Sequence, residues 1–401
     1  MNEFANTPID VRHLWQRSSL AMGVVCALAS VIGGWFAVTD FFRAYLMVWL
    51  FFFGLSLGSL ALVMIQTLTG GAWGALLRRI VEGQMRTLPW LAILFLPLAL
   101  GLPYIYRWAD VEISHDWRAW YLDRWFFFAR AAVYFSVWIS LSLCFSRWSL
   151  QQERTADAAI LWKRVSLAGP GLLILGVTLH FAAIDWVMSL QMEFTSTVLG
   201  PLLFAAMLVT ALASAVLLFT PLAKREEFSP ILSSSILNDL GSLLLTFVML
   251  WAYLMWFQYM LIWMADLPRG SAWYLVRSRF GWRAVAWLLV LGHGVVPISL
   301  LLLRSVKQSL PRLAKVALLL LAMQMAFDVY LVLPAFSIRW ATVLLSLGLL
   351  FAFGGLWLAG MLAFLRQRSL VVTDDRDYEH ALELHHRDAE RQAREERLAH
   401  D

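Results

Sequence analysis

Long apolar stretches separated by short polar ones recur along the chain from residue 19 to residue 366. A helix needs about 20 apolar residues to cross roughly 30 Å of hydrocarbon. Ten stretches meet that test, near 19 to 38, 44 to 69, 87 to 106, 125 to 146, 168 to 190, 197 to 219, 236 to 264, 281 to 304, 312 to 333 and 340 to 366. They are too long and too continuous for the alternating strands of a membrane barrel. The pattern therefore predicts an all-α polytopic membrane protein with ten transmembrane helices over residues 19–366, a cytoplasmic N-terminal segment 1–18 and a charged cytoplasmic tail 367–401.

Local signals refine that outline. Pro89, Pro97 and Pro103 predict kinks in the third span, with neighbouring helices satisfying the freed carbonyls. Between the third and fourth spans, RWADVEISHDWRAWYLDR at 107–124 mixes charge with Trp108, Trp117, Trp120 and Tyr121, the composition of an interfacial segment at the outer surface. The tail is a run of Asp, Glu, Arg and His without a sustained apolar stripe. It reads as solvated, partly helical or disordered, with His385 and His386 in water rather than on a ligand.

Composition agrees with the pattern. Sixty-one per cent hydrophobic residues, 15 % charged residues and a mean hydropathy of +0.69 lie outside the range of a soluble domain. The polar start leads into a full-length span with no cleavage site, so the first span is expected to stay. Cys26 and Cys144 lie in separate apolar runs and suit core packing better than a metal site. Arg17, Arg78, Arg79, Arg86, Arg147, Lys163, Arg164 and Lys224 fall at the N-terminus or in even-numbered loops, which predicts cytoplasmic termini. The net charge of +5 is then a property of basic loops and no argument for nucleic acid.

Candidate chemistry lies in polar groups within the spans, which are costly in hydrocarbon. Asp239, Ser242, Thr246 and Tyr253 fall at i, i+3, i+7 and i+14, one stripe of the seventh helix that could line a file of waters. Helix rise puts Asp239 near the cytoplasmic face, His293 roughly 16 Å deep, and Asp328 and Asp185 near 25 Å, toward the outer face. Arg130 is close in depth to Asp185, so a structural ion pair is expected between them. Thr178 and Ser189 share the Asp185 face, whereas His180 lies about 140° around the helix from it. Each histidine reads equally as a helix-to-helix hydrogen-bonding group or a proton carrier, while the burial of the carboxylates favours a functional role. His180 and His293 are the only histidines in spans, at most one axial pair, so no haem is expected in this chain.

Several stretches resemble a known family. They are TGGAWGALLRRI at 69–80, RTLPWLAILFLPLALGLPYIYRWA at 86–109, FFFARAAVYFSVW at 126–138, FAAIDWVMSL at 181–190, NDLGSLLLTFVMLWAYLMWFQYMLIW at 238–263 and FDVYLVLP at 327–334. Together they resemble the ActF membrane subunits of Alternative Complex III, within the wider NrfD or polysulfide-reductase membrane-subunit family. The resemblance implies two four-helix bundles, spans 2–5 and 6–9, flanked by spans 1 and 10. It implies a cofactor-free subunit in a bacterial inner membrane, within a complex that oxidises quinol. Electrons would pass through iron-sulfur and c-type haem partner subunits, beside an NrfD-like paralogue. Asp185, Asp239, His293 and Asp328 match polar family positions associated with proton conduction. After MSL the family tends to carry an acidic residue, Pro, His and Trp, where this chain reads QMEFTST at 191–197. Two other readings stand beside this one: a quinol-binding catalytic membrane subunit, and a stand-alone secondary transporter, for which neither an internal repeat nor a second broken span is visible.

Overall fold

A computed structural model describes residues 9–110, 120–155, 157–279, 281–337, 339–366, 368–371 and 376–400. Ten helices are long and apolar enough to cross a membrane, and among the described residues there is no strand. In chain order they are α1 (Ile9–Phe36), α2 (Val38–Thr69), α3 (Trp73–Leu100), α4 (Arg124–Thr155), α5 (Ala158–Trp186), α6 (Leu199–Phe219), α7 (Ser234–Ala265), α8 (Trp282–Leu302), α9 (Leu310–Val332) and α10 (Trp340–Leu365). The protein is an all-α, multi-pass integral membrane protein.

Helices α2 to α5 pack as one four-helix bundle and α6 to α9 as a second. The two are joined along α2 and α6, the most buried spans. A side chain at Gly58 would strike the backbone of Met207, so glycine is what lets α2 and α6 approach. Helices α1 and α10 pair through the touching backbones of Gly23 and Gly355, and both lie against α2 on the flank of the first bundle. The membrane face where α1 begins and α10 ends is called the terminal face below, and the other the far face.

Several helices outrun their apolar limits because charges within them are paired. Residues 73–85, expected to belong to a basic loop, are helix and begin the third span, with Arg78, Arg79 and Glu82 buried. The proline kinks are present: α3 continues as Leu88–Ile93 and Leu96–Leu100, then Leu102–Ile105, each piece with proline at its second residue. Proline has no amide proton to donate. Neighbours supply donors to carbonyls of the kinked helix: Ser142 Oγ to Met85 O, four residues before Pro89, at 3.1 Å, Trp49 Nε1 to Leu91 O at 2.9 Å and the Tyr45 hydroxyl to Leu94 O at 2.8 Å.

Of the expected interfacial segment, residues 111–119, including Trp117, lie outside the described residues. Trp108 is buried against Tyr106 and Phe127, so it is a core residue, while Trp120 is exposed. The tail differs from a free, solvated segment. Arg376–His400 is a helix lying across the terminal face against α3 and α7. Gln66 Nε2 donates to Asp377, Ala381 is fully buried, and Asp388 accepts from Ser235 N at 3.0 Å, Ser235 Oγ at 2.7 Å and Ser234 Oγ at 3.0 Å. The anchor is thus a carboxylate at the electropositive start of α7, which no apolar stripe would announce. Partial burial pushes the Asp388 carboxyl up, but the bonds from Ser235 and Ser234 outweigh it and hold it below its ordinary range.

Candidate functional site

Buried polar side chains gather at three levels. At the far end of the first bundle, the Arg130 guanidinium grips Asp185 with two bonds, Nε to Oδ2 at 2.9 Å and Nη2 to Oδ1 at 2.8 Å. The Tyr134 hydroxyl adds a third at 3.0 Å, and Arg130 Nη1 donates to Tyr121 O at 2.8 Å. The rings of Tyr121 and Phe126 lie 3.9 and 4.4 Å from the guanidinium carbon. Such a bidentate, stacked arrangement is rigid and specific to arginine. On the same face, Ser189 Oγ donates to Asp185 O at 2.5 Å, and Thr178 accepts from Trp138 Nε1 at 2.9 Å.

Toward the terminal face of the same bundle lies a charged cluster that hydropathy does not reveal. Glu82 accepts from Arg79 Nη1 at 3.0 Å, Arg78 Nε at 3.3 Å and Ser149 Oγ at 2.5 Å, with Arg368 Nη1 at 3.6 Å. Arg79 also pairs with Glu153 at 2.5 Å. The i+3 and i+4 spacing of Arg79, Arg78 and Glu82 was the available signal, masked by reading the two arginines as loop charges. Further in, Gln84 bridges Ser59 at 2.6 Å and Ser214 at 2.8 Å, tying α3 to α2 and α6. Between these groups and Asp185 stands a layer of Trp49, Phe53, Phe95, Phe135, Trp138 and Trp186 rings in mutual contact.

The middle of the second bundle is organised differently. His293, fully buried, sits in the π-helical segment Val290–Val295 of α8, four residues before Pro297. Proline removes the amide that the His293 carbonyl would receive, and such bulges recur at functional sites. The imidazole stacks on Trp251 of α7, centroids 3.9 Å apart and 11° from parallel, with Phe327 of α9 edge-on at 6.5 Å. Among the described residues neither ring nitrogen has a hydrogen-bond partner; nor do Trp251 Nε1, Gln324 Oε1 and Asp328 Oδ2. Asp328 and Gln324 border a cavity of about 20 Å³ shared with Thr210 of α6 and Gly54 of α2, room for about one water. Buried polar atoms without partners are rare enough to require waters or a ligand to complete them.

The stripe on α7 is one face, but it points outward. Asp239, Thr246 and Tyr253 are exposed, while Leu240, Leu244, Val248 and Trp251 fill the bundle. A 3.6-residue period identifies a shared face without saying which side of the helix is inside. The stripe therefore does not line an internal file of waters. Of the stripe, Asp239 sits at the terminal-face rim, with Lys307 and the tail's His380 as its nearby basic groups. Ser242 accepts from Lys307 Nζ at 3.0 Å, and Thr246 donates back to Ser242 O at 2.9 Å.

His180 belongs to none of these groups. It packs on Gly200 of α6 and lines a far-face cleft of about 1030 Å³ between the bundles. The QMEFTST stretch forms one wall, where Ser196 lies 3.1 Å from Gln258 Oε1. Two further buried groups lie outside the expected set. Asp40 accepts from Thr342 at 2.5 Å and faces Arg339 at 3.6 Å. Arg277, on the short helix Pro268–Arg277, donates to Tyr330 O at 3.0 Å and Leu331 O at 2.7 Å, capping the end of α9. Burial depresses Arg277 to about 9. Among the described residues no group of three or more histidines, cysteines and carboxylates has a metal-binding arrangement. Comparison with known protein families and with curated proteins gives no match.

Proposed function

We propose that the chain is a cofactor-free membrane subunit of a quinol-oxidising electron-transfer complex of the Alternative Complex III kind, supplying a scaffold and a proton path. The observation that carries the path is the set of buried polar atoms without a hydrogen-bond partner among the described residues, on His293 and Trp251 inside the second bundle and on Gln324 and Asp328 where α9 meets α2 and α6. Waters bridging them would form a relay in hydrocarbon, where such groups are otherwise costly. Asp239 would take up protons at the terminal rim. His293 would hold them at mid-membrane, and Asp328 would pass them toward the far face. In the first bundle the aromatic layer separates Glu82 from Asp185, so Arg130 and Asp185 serve structure. What supports the complex is the resemblance of the six stretches, in their order along the chain, to the NrfD-like subunits.

In this reading iron-sulfur and c-type haem proteins and an NrfD-like paralogue are the partners, and the bacterial cytoplasmic membrane is the site. Affinity purification of the chain from its native membrane should bring haem-bearing partners, while the separated chain has no Soret band. A one-per-chain reducible haem band in the separated chain, or purification without any redox partner, would contradict the proposal. The termini should be cytoplasmic, so a periplasm-dependent reporter fused after Arg366 stays silent; activity there reverses the orientation.

A second reading, that the chain itself binds quinol, is favoured by the far-face cleft with His180 and Gln258 in its lining. Quinol oxidation by the separated chain with an artificial acceptor would select it.

A further inference from the structure

On the outer side of the first bundle, near the terminal face, two arginines from adjacent helices lack counter-ions. Arg86 ends the first segment of α3 and is half-buried; Arg147 lies on α4 and is exposed. No side-chain hydrogen bond or ion pair joins either one to a described residue, and the charges near Arg86 are those of two further arginines, Arg147 and Arg368. Contacts on either side hold the two helices together at this level. Ser142 Oγ donates to Met85 O at 3.1 Å, and Arg368 Nη2 donates to Ser146 O at 3.3 Å. Arg368 is committed inward, toward Ser146 and Glu82. Arg86 and Arg147 are therefore two like charges held close by packing, a repulsion that an anion between them would relieve.

The surface leading from this pair toward mid-membrane has the form of a lipid track. One turn beyond Arg86 on the same side of α3 is Trp90, 63 % exposed, followed by Ile93, also exposed. Opposite, α4 presents the small exposed side chains of Ser136 and Ser140. Trp90 also lies beside Gly360 of α10, which leaves its indole a flat seat on the helix. Indoles favour the headgroup level of a bilayer, and guanidinium forks match phosphate oxygens.

We propose that Arg86 and Arg147 bind the phosphate of one anionic phospholipid in the terminal-face leaflet, with an acyl chain along the exposed Trp90 and Ile93 face of α3. The exposed apolar side chains of Trp90 and Ile93 below the charges distinguish a lipid from free phosphate. Its neighbourhood, tied to α10 and Arg368, makes the lipid a brace across the kinked third span.

Native mass spectrometry of the full chain in detergent, titrated with phosphatidylglycerol or phosphatidylcholine, tests this. The parent should retain phosphatidylglycerol about tenfold more tightly, and Arg86→Gln with Arg147→Gln should abolish the preference. Arg225→Gln with Arg312→Gln, on the same membrane face, should keep it. Melting in phosphatidylcholine nanodiscs, unchanged by the Arg86 and Arg147 substitutions, shows that the variant is folded. Melting of the parent in phosphatidylglycerol nanodiscs should be higher, and only the parent should gain. Retention of the preference by the double variant overturns the site. Displacement of the lipid by millimolar inorganic phosphate alone would make it an anion site rather than a lipid site. Equal binding of both lipids by the parent would also refute it.

Discussion

Replacing Glu82 by alanine is expected to destabilise the protein by about 3–5 kcal/mol, the range for removing one partner of a buried ion pair. Glu82 is 1 % exposed and is the carboxylate on which Arg78, Arg79, Ser149 and Arg368 converge. Without it, Arg79 keeps Glu153 and Arg78 keeps Ser149, but Arg368 loses the carboxylate 3.6 Å from its Nη1. Arg79 Nε also holds Ser369 O at 3.0 Å, so loosening the cluster should free the segment leading to the tail helix. Glu82→Gln retains a hydrogen-bond acceptor for Ser149 and should fall between parent and alanine variant. Unfolding in detergent, together with protease cleavage between Arg366 and Arg376, reads both effects. A parent-like melt with an uncut tail would show that the cluster contributes nothing to the fold.

The second large effect is expected at Arg130. Arg130→Met leaves the Asp185 carboxylate buried with only Tyr134 to bond it, at a cost of about 3–5 kcal/mol. Asp185→Asn alone strands the guanidinium, although Tyr121 O and the two rings still hold it. Combining Arg130→Met with Asp185→Asn removes both charges and should recover more than half of the single loss, because a neutral pair no longer carries an uncompensated ion. The double-mutant cycle measures this coupling. Additive losses would mean that the pair acts through packing alone.

Much of the fold was legible because hydrocarbon imposes a length rule that ten stretches satisfy. The kinks of α3 followed from its prolines, whose effect on backbone bonding is local. Helix ends were less legible. Hydropathy stops at the first charge, whereas α3 and α5 continue through Arg78, Arg79 and Arg164, whose charges are bonded inside the protein. The site was legible as residues and only partly as an arrangement. Depth brought Arg130 and Asp185 together, since both lie near one end of neighbouring helices. The stripe from Asp239 to Tyr253 faces outward, which periodicity alone does not reveal, and nothing in the sequence marks Trp251 as the partner that stacks on His293. The docked tail was hidden because its anchors, Asp377 and Asp388, are polar and local to their partners.

The central claim is that the buried polar group of the second bundle carries protons during quinol oxidation. Asp328→Asn keeps shape and hydrogen-bonding capacity while removing the titratable group. The measurement is the number of protons moved per electron by the complete complex, reconstituted in sealed vesicles, with quinol turnover recorded in parallel. Fewer protons per electron are expected in the Asn variant with the complex still assembled. The same ratio as the parent at the same turnover would contradict it.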